Sequence, residues 1–284
     1  MITNYAIYLA GSKQKLIKDI LPHLQDGKRK TLLTPFCGTG VVELNCISQD
    51  LFENYYSNDL EQWVVNLHKK LKDPVFILDC KAVNEKYPSD KKSYLQMRDN
   101  YNSGGCTDDT LLFNLLMRSH SNRMRFSGRG KTYKCNIPYG ERNRFDMERM
   151  LRHHTLSQKM EVVQGSFSAF LNSFSEVDWK EVTVYLDPPY QTGGKSGGAV
   201  YNSGWSDIDD DVLLSLVDKL IQKGAKVIMS NIFFNRGFTF SKLIDFCKDR
   251  EDILEVIHLD QDYRNSAHVK YNGDKTDEVL IISK

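Results

Sequence analysis

The stretch VTVYLDPPY (Val182–Tyr190) decides how this chain reads. Val182 to Leu186 is a short apolar run of β-branched and aromatic residues, the pattern of a buried strand, and it stops at Asp187-Pro188-Pro189-Tyr190. Two prolines leave a corner with carbonyl acceptors and no N–H donors. Asp187 adds a carboxylate, again an acceptor. Such a corner is built to receive the two hydrogens of an exocyclic amine, and Tyr190 offers a flat face on which a heterocyclic base can stack.

Working outward, a second strand, Thr31 to Phe36, runs into Cys37-Gly38-Thr39-Gly40 and then into a helix over Val41–Ile47. Glycines two apart let a ligand approach the backbone, and the helix N-terminus behind them favours polar or anionic groups. A third strand, Tyr55–Asn58, ends at Asp59, 19 residues beyond Gly40. An acid at that place in a doubly wound fold accepts the two hydroxyls of a ribose. The two features point to an adenosine-containing cofactor, and Val42-Glu43 in place of a third glycine argues against NAD. An acceptor-only turn beside a ribose-binding acid suits methyl transfer to a planar amine.

The remaining pattern supplies the frame. Ser12–Leu24 has helical spacing with Ser12 as N-cap, and an amphipathic helix runs to Leu71. Residues 74–119 read as helices broken at Pro88 and at Asn102-Ser103-Gly104-Gly105, and 120–145 as loop and hairpin, with a helix near 141–153. Strand character returns at Met160–Val163, Lys226–Met229, Leu254–Leu259 and Val279–Ile282, with helices at Asp207–Ile221 and Phe240–Cys247. The glycine-rich residues 191–204 read as mobile loop. The predicted fold is α/β: a Rossmann-like three-layer sheet, with a helical and β-hairpin insertion between its two halves. The sheet domain takes residues 1–60 and 160–284, and the insertion 61–159.

The chain has 284 residues, and its 38 Lys+Arg against 37 Asp+Glu say little. Their placement says more. Between Arg118 and Lys159 lie eleven Lys/Arg and three acids, so this segment is +8 and the rest of the chain −7. Phe126, Tyr133, Tyr139 and Phe145 are interleaved with the charges. A basic segment with aromatic side chains inside an acidic protein fits contact with a phosphate backbone. No apolar run approaches the ~20 residues that span a bilayer. The six cysteines are never closer than nine positions, which excludes a zinc ribbon and suits free thiols in a reducing, cytoplasmic setting. Gly194-Lys195-Ser196 lacks the spacing of a phosphate-binding loop. His153-His154 has no nearby Cys or acid, so no metal is expected. Cys37 has no histidine placed by sequence to activate it and reads as a packing residue. Lys13, after Gly11-Ser12, is a candidate partner for a cofactor carboxylate or for Asp187.

Taken in order, AGSKQ (Ala10–Gln14), PFCGTG (Pro35–Gly40), Asn58-Asp59, the basic segment, DPPY (Asp187–Tyr190) and TDEVLI (Thr276–Ile281) resemble the Dam-type DNA adenine-N6 methyltransferases, most closely the short bacteriophage branch. The resemblance covers nearly the whole chain. It implies S-adenosylmethionine as cofactor, in a pocket lined by Lys13, Phe36, Cys37, Gly38, Asp59, Phe167 and Asp187, with Tyr8 serving as the aromatic near Leu9. It implies that Asp187 and the Pro188 carbonyl hold the target amine, with Tyr190 stacked on an adenine flipped out of duplex DNA, as chemistry on a stacked base demands. Tyr201-Asn202 and Trp205-Ser206 match a lid over that base. Ser121, Asn122, Arg123, Met124 and Arg125, with Pro138 and Arg142, match the hairpin that reads GATC, and Arg123 stands where the family has an apolar residue. The expected partner is double-stranded DNA, the expected state a monomer with room for more than one copy per site, and the setting restriction–modification or a bacteriophage. The same corner would also serve an RNA-base or protein-glutamine methyltransferase, although Asp187 rather than Asn disfavours glutamine. An inactive DNA-binding protein should lack one of the two sites, and both are present.

Overall fold

The computed structural model describes residues 4–190, 204–235, 237–259 and 276–284. In chain order the elements are α1 (Ile17–Leu24), β1 (Thr31–Thr34), α2 (Val41–Ser48), β2 (Asn54–Asp59), α3 (Gln62–Lys70), α4 (Pro74–Lys86), α5 (Lys91–Ser103), α6 (Asp109–Arg118), β3 (Phe126–Ser127), β4 (Lys134–Cys135), α7 (Met147–Ser157), β5 (Met160–Gln164), α8 (Phe167–Asn172), β6 (Val182–Leu186), α9 (Asp207–Gln222), β7 (Lys226–Asn235), β8 (Phe238–Thr239), α10 (Ser241–Lys248), β9 (Leu254–Leu259) and β10 (Asp277–Ser283).

The main sheet has the order β5-β2-β1-β6-β7-β10-β9, with β8 paired to β7. The first five strands are parallel, and β10 runs antiparallel between β7 and β9. Alternation along the strands splits the core into two layers. Leu32, Tyr185, Ile228 and Leu280 face α1 and α2, while their neighbours Leu33, Val184, Val227 and Ile281 face α8, α9 and α10. Every residue of β6 is buried, which is why that strand reads as one unbroken apolar run. The α/β sandwich expected from the sequence is the fold.

A third apolar cluster lies off the sheet. It joins Leu67 and Leu71 to Phe76, Ile77, Tyr94, Met97, Phe113, Leu116 and Met150, and it also takes Ala6 and Ile7 from the N-terminal segment. Aspartates start its helices: Asp73, Asp90, Asp108 and Asp146 each accept a backbone N–H in the first turn of α4, α5, α6 and α7.

Several boundaries differ from those expected. Ser12 caps nothing; its hydroxyl lies 3.3 Å from Thr39 Oγ1, Lys13–Lys15 form one tight turn, and α1 starts only at Ile17. The helix placed near 141–153 begins at Met147, because the Asp146 carboxylate accepts the Arg149 N–H and sets the first turn there. Helix α8 is an addition to the expected elements, too short at six residues to show a helical period; Ser166 accepts the Ala169 N–H and opens it. The loop expected over 191–204 falls outside the described residues, apart from Gly204.

Candidate active site

Strand β1 pairs with β2 on one side and with β6 on the other, Leu33 standing between Tyr56 and Val184. From β1 the chain winds outward to β2 and β5 in one direction and meets β6 in the other. Between β1 and β6 the winding reverses, and the crevice beyond the carboxyl ends of such a pair is where doubly wound folds take ligands. The turns 35–40, 59–61 and 187–190 all emerge there.

On the β1–β2 side, the Gly38 N–H donates to Asp59 Oδ2 and the Glu61 N–H to Asp59 Oδ1, both at 2.9 Å. The carboxylate is thus fixed, and each oxygen keeps a lone pair for a further donor. Burial raises the Asp59 pKa above its ordinary range against the pull of these N–H bonds. Asn58 is buried and donates to the carbonyls of Pro35 and Gly165, tying three strand ends together, while its own Oδ1 meets no protein donor. Gly38 has φ +50, and the space beside it is open, with no atom within 4 Å of where a Cβ would stand. Gly40 has φ +69, and a Cβ there would lie 2.7 Å from His68 Cε1. Phe36, Phe167 and Trp205 form a triangle of rings with centroids 5.3, 5.5 and 5.7 Å apart.

On the β6 side, Lys13 Nζ lies 2.9 Å from Asp187 Oδ1 and 3.8 Å from Glu278 Oε1, and it sits over the Tyr190 ring at 4.7 Å. The Tyr190 hydroxyl donates to Glu278 Oε1 at 3.3 Å. Lys13 is nearly buried, whereas the Asp187 side chain keeps 22% of its surface, so the acceptor can be reached. Burial pushes the Asp187 carboxyl up, and Lys13 and the Tyr190 hydroxyl oppose that push.

Behind the glycine turn the interior is polar. Glu43 is buried on α2, and desolvation, with a minor push from Asp187, raises its carboxyl to about 7. Cys37 Sγ lies 3.4 Å from His68 Nε2, so the fold supplies the histidine that the sequence did not reveal. Even so, burial raises the Cys37 thiol well above its ordinary value and lowers His68 to about 4. A neutral thiol beside a neutral imidazole is a packing pair, not a nucleophile and base. His68 donates Nε2–H to the Gly38 carbonyl at 3.0 Å and stacks near His153 at 5.3 Å. His153 is buried while His154 turns out to the Leu71 carbonyl, so the two diverge.

The basic segment forms a two-armed ribbon. Ser119 pairs with Tyr139, the His120 N–H donates to the Pro138 carbonyl, and β3 pairs with β4. This brings residues 121–125 beside 136–142. Ser121 and Asn122 take φ of 57° and 50°, a strained choice for two successive non-glycine residues. Arg123, Arg125 and Pro138 are exposed and Arg142 half-buried. The Arg125 guanidinium is braced by Asn136 Oδ1 at 2.6 Å and the Asn136 carbonyl at 3.2 Å. Asn122 and Met124 are buried in the base of the ribbon, where the Asn122 carbonyl accepts the Ala10 N–H. Tyr8 lies with this insertion: the guanidinium groups of Arg144 and Arg149 lie 5.1 and 5.4 Å from its ring centre, and it packs on the third apolar cluster.

The profile of the D12 class N6 adenine-specific DNA methyltransferases matches residues 9–260. The chain belongs to this family. Among curated proteins, the modification methylase StsI of Streptococcus sanguinis is 28% identical over 95% of this chain. The type II methyltransferase M.FokI of Planomicrobium okeanokoites is 27% identical, again over 95%. The chain spans 41% of the length of each of these relatives.

S-adenosylmethionine is the cofactor of this D12 class chain, and the cradle suits it. A fixed carboxylate with spare lone pairs suits ribose hydroxyls, the aromatic triangle suits an adenine, and the open space at Gly38 admits a ligand to the backbone. Of the residues singled out by sequence, Gly38 with Asp59, Phe36 with Phe167, and Lys13 with Asp187 and Tyr190 are brought into contact. Pro188 is buried beside them in the chain. Trp205, matched to a lid, packs instead with Phe36 and Phe167, and Ser206 caps α9. Tyr201, with Asn202, lies outside the described residues. Glu278 and His68 join the site although the sequence expectations do not include them. A buried acid amid the apolar residues of TDEVLI is the signal that marks Glu278; nothing in the sequence marks His68.

Proposed function

We propose that this chain transfers a methyl group to the N6 amine of an adenine turned out of duplex DNA. S-adenosylmethionine, when bound, would supply an electrophilic methyl, its sulfonium–methyl bond breaking to leave S-adenosylhomocysteine while the methylated amine gives up one proton to solvent. Asp187 and the Pro188 carbonyl accept the two N–H bonds of the amine, draw the nitrogen towards tetrahedral geometry and free its lone pair from the ring. Tyr190 stacks on the base, and Asp59 holds the ribose of the cofactor. The gain is positioning and electrostatics, without a covalent enzyme intermediate. Residues 1–60 and 160–284 form the catalytic part and 61–159 the recognition part, with Ser121, Arg123, Arg125, Pro138 and Arg142 on the DNA side and Asn122 and Met124 as its base. GATC is the first target to test, since the order of motifs resembles that of Dam-type enzymes.

The observation that carries this reading is an acceptor-only corner in the sheet's crevice, with a reachable carboxylate fixed 2.9 Å from a lysine and an aromatic ring beside it. The basic ribbon, with Arg123 and Arg125 exposed, supports DNA as the substrate. Asp187→Ala is expected to keep cofactor and DNA affinity while turnover falls by orders of magnitude, measured as tritium transferred from labelled cofactor to duplex DNA. Near wild-type transfer by that variant would refute the assignment. Transfer to RNA or protein in preference to DNA would refute the substrate.

A further inference from the structure

We infer that Glu278 is a positioning residue of the acceptor corner: it draws the Lys13 charge away from Asp187 and orients Tyr190. The inference rests on the reading of Asp187 as the acceptor of the target amine. Glu278 comes from β10, the antiparallel strand, and is 4% exposed. A carboxylate buried in a sheet is costly unless paired. Its Oε1 faces Lys13 Nζ at 3.8 Å and accepts from the Tyr190 hydroxyl at 3.3 Å. Lys13 in turn lies 2.9 Å from Asp187 and 4.7 Å from the centre of the Tyr190 ring. Three side chains, Asp187, Tyr190 and Glu278, thus close on the one cation of Lys13, which lies more than 170 residues before them in the chain.

One consequence follows from charge and a second from the hydrogen bond. A lysine paired only with Asp187 would spend its full charge on the oxygen needed to accept an amine N–H, making that oxygen a poorer acceptor. A second carboxylate on the far side of the ammonium divides the charge and leaves Asp187 the stronger acceptor. The bond to the Tyr190 hydroxyl anchors the far end of the ring that flanks the corner. The charged and titratable groups facing Asp187 are Lys13 from the N-terminal turn, Tyr190 from the corner, Glu43 from α2, and Tyr185 from β6, with Glu278 from β10 across Lys13.

Glu278→Gln keeps an oxygen for Tyr190 and removes the charge. The expected result is a fall in kcat of about tenfold, with the acid limb of the kcat–pH profile moved down by about one unit, since each tenfold change in proton affinity is one unit. The direction follows because Lys13 then favours the ionised form of Asp187 alone. KM for DNA and cofactor affinity stay near wild type, and thermal unfolding checks that the variant folds. Tyr190→Phe removes the hydroxyl and is expected to lower kcat without moving the acid limb in this way. A Glu278→Gln enzyme with wild-type kcat and acid limb overturns the inference, and so does a slower enzyme whose acid limb has not moved, because that would be packing. Asp187→Ala assayed beside it separates the two levels. If it is inactive while Glu278→Gln is unchanged, only the role of Glu278 fails; if it is active, the reading beneath fails too.

Discussion

The two glycines of the Cys37–Gly40 turn face different neighbours, and replacing each by alanine separates two physical terms. Both have left-handed φ, +50 at Gly38 and +69 at Gly40, so either alanine bears a strain of roughly 1–2 kcal/mol. Only at Gly40 does the new methyl meet protein, at 2.7 Å from His68 Cε1. His68 cannot swing aside: it is fully buried, bonded to the Gly38 carbonyl, and backed by the His153 ring. Overpacking of that kind costs about 1–3 kcal/mol. Gly40→Ala should therefore lose roughly 2–5 kcal/mol and Gly38→Ala only the strain term. Scaled by about 2–4 °C per kcal/mol for a chain of this size, a loss of ~3 kcal/mol lowers Tm by about 10 °C. Cofactor affinity, measured by calorimetric titration, should rank the variants the other way, because the Gly38 methyl would fill the space left open for the ligand. Equal losses of Tm at the two positions would refute the steric account. An unchanged cofactor Kd for Gly38→Ala would refute the placement of the ligand.

Arg125→Ala should cost about 1–3 kcal/mol of discrimination at one guanine of the target, seen as methylation of duplexes altered at that base. Arg129→Ala, at the exposed tip of the ribbon, should instead weaken binding to all duplexes and flatten the salt slope by about one. For Glu43, burial lifts the carboxyl from 4.5 to about 7, so between those values the folded chain holds a proton that the unfolded chain has released. Stability is then lost as pH rises through that window, and Glu43→Gln should gain up to about 3 kcal/mol over the parent at pH 8 and almost nothing near pH 5, by urea unfolding at each pH.

What could be read from the sequence is what repeats along the chain or interrupts it sharply. β6 was legible because burial on both faces makes it continuously apolar and Pro188-Pro189 ends it at once. The glycine turn and Asp59 were legible because the backbone demands there are local. Helix starts were not legible at Asp146, whose carboxylate sets the first turn of α7 at Met147 rather than near 141, nor at Ser12, whose hydroxyl is taken by Thr39 across the fold. Tyr8 shows the limit most clearly. Its position before AGSKQ suggests the cofactor, yet its ring is claimed by Arg144 and Arg149, more than a hundred residues away. His68 beside Cys37 and Glu278 beside Lys13 are of the same kind, contacts made by sheet order rather than by spacing.

Those long-range contacts converge on one short segment. Tyr8 is gripped by the basic insertion, Ala10 donates to the Asn122 carbonyl at the base of the ribbon, Ser12 meets Thr39 of the glycine turn, and Lys13 reaches Asp187. From Ala10 to Lys13 the backbone spans at most ~11 Å. Three parts of the chain that lie far apart in sequence are therefore moored to each other through six consecutive residues. A recognition ribbon on a long flexible connection would deliver a base to the crevice at no fixed distance from the sequence being read. Here the base of the ribbon and the Asp187 carboxylate are joined through residues 10 to 13 and one lysine side chain. On the proposed function, that geometry would link the choice of site to the position of the amine.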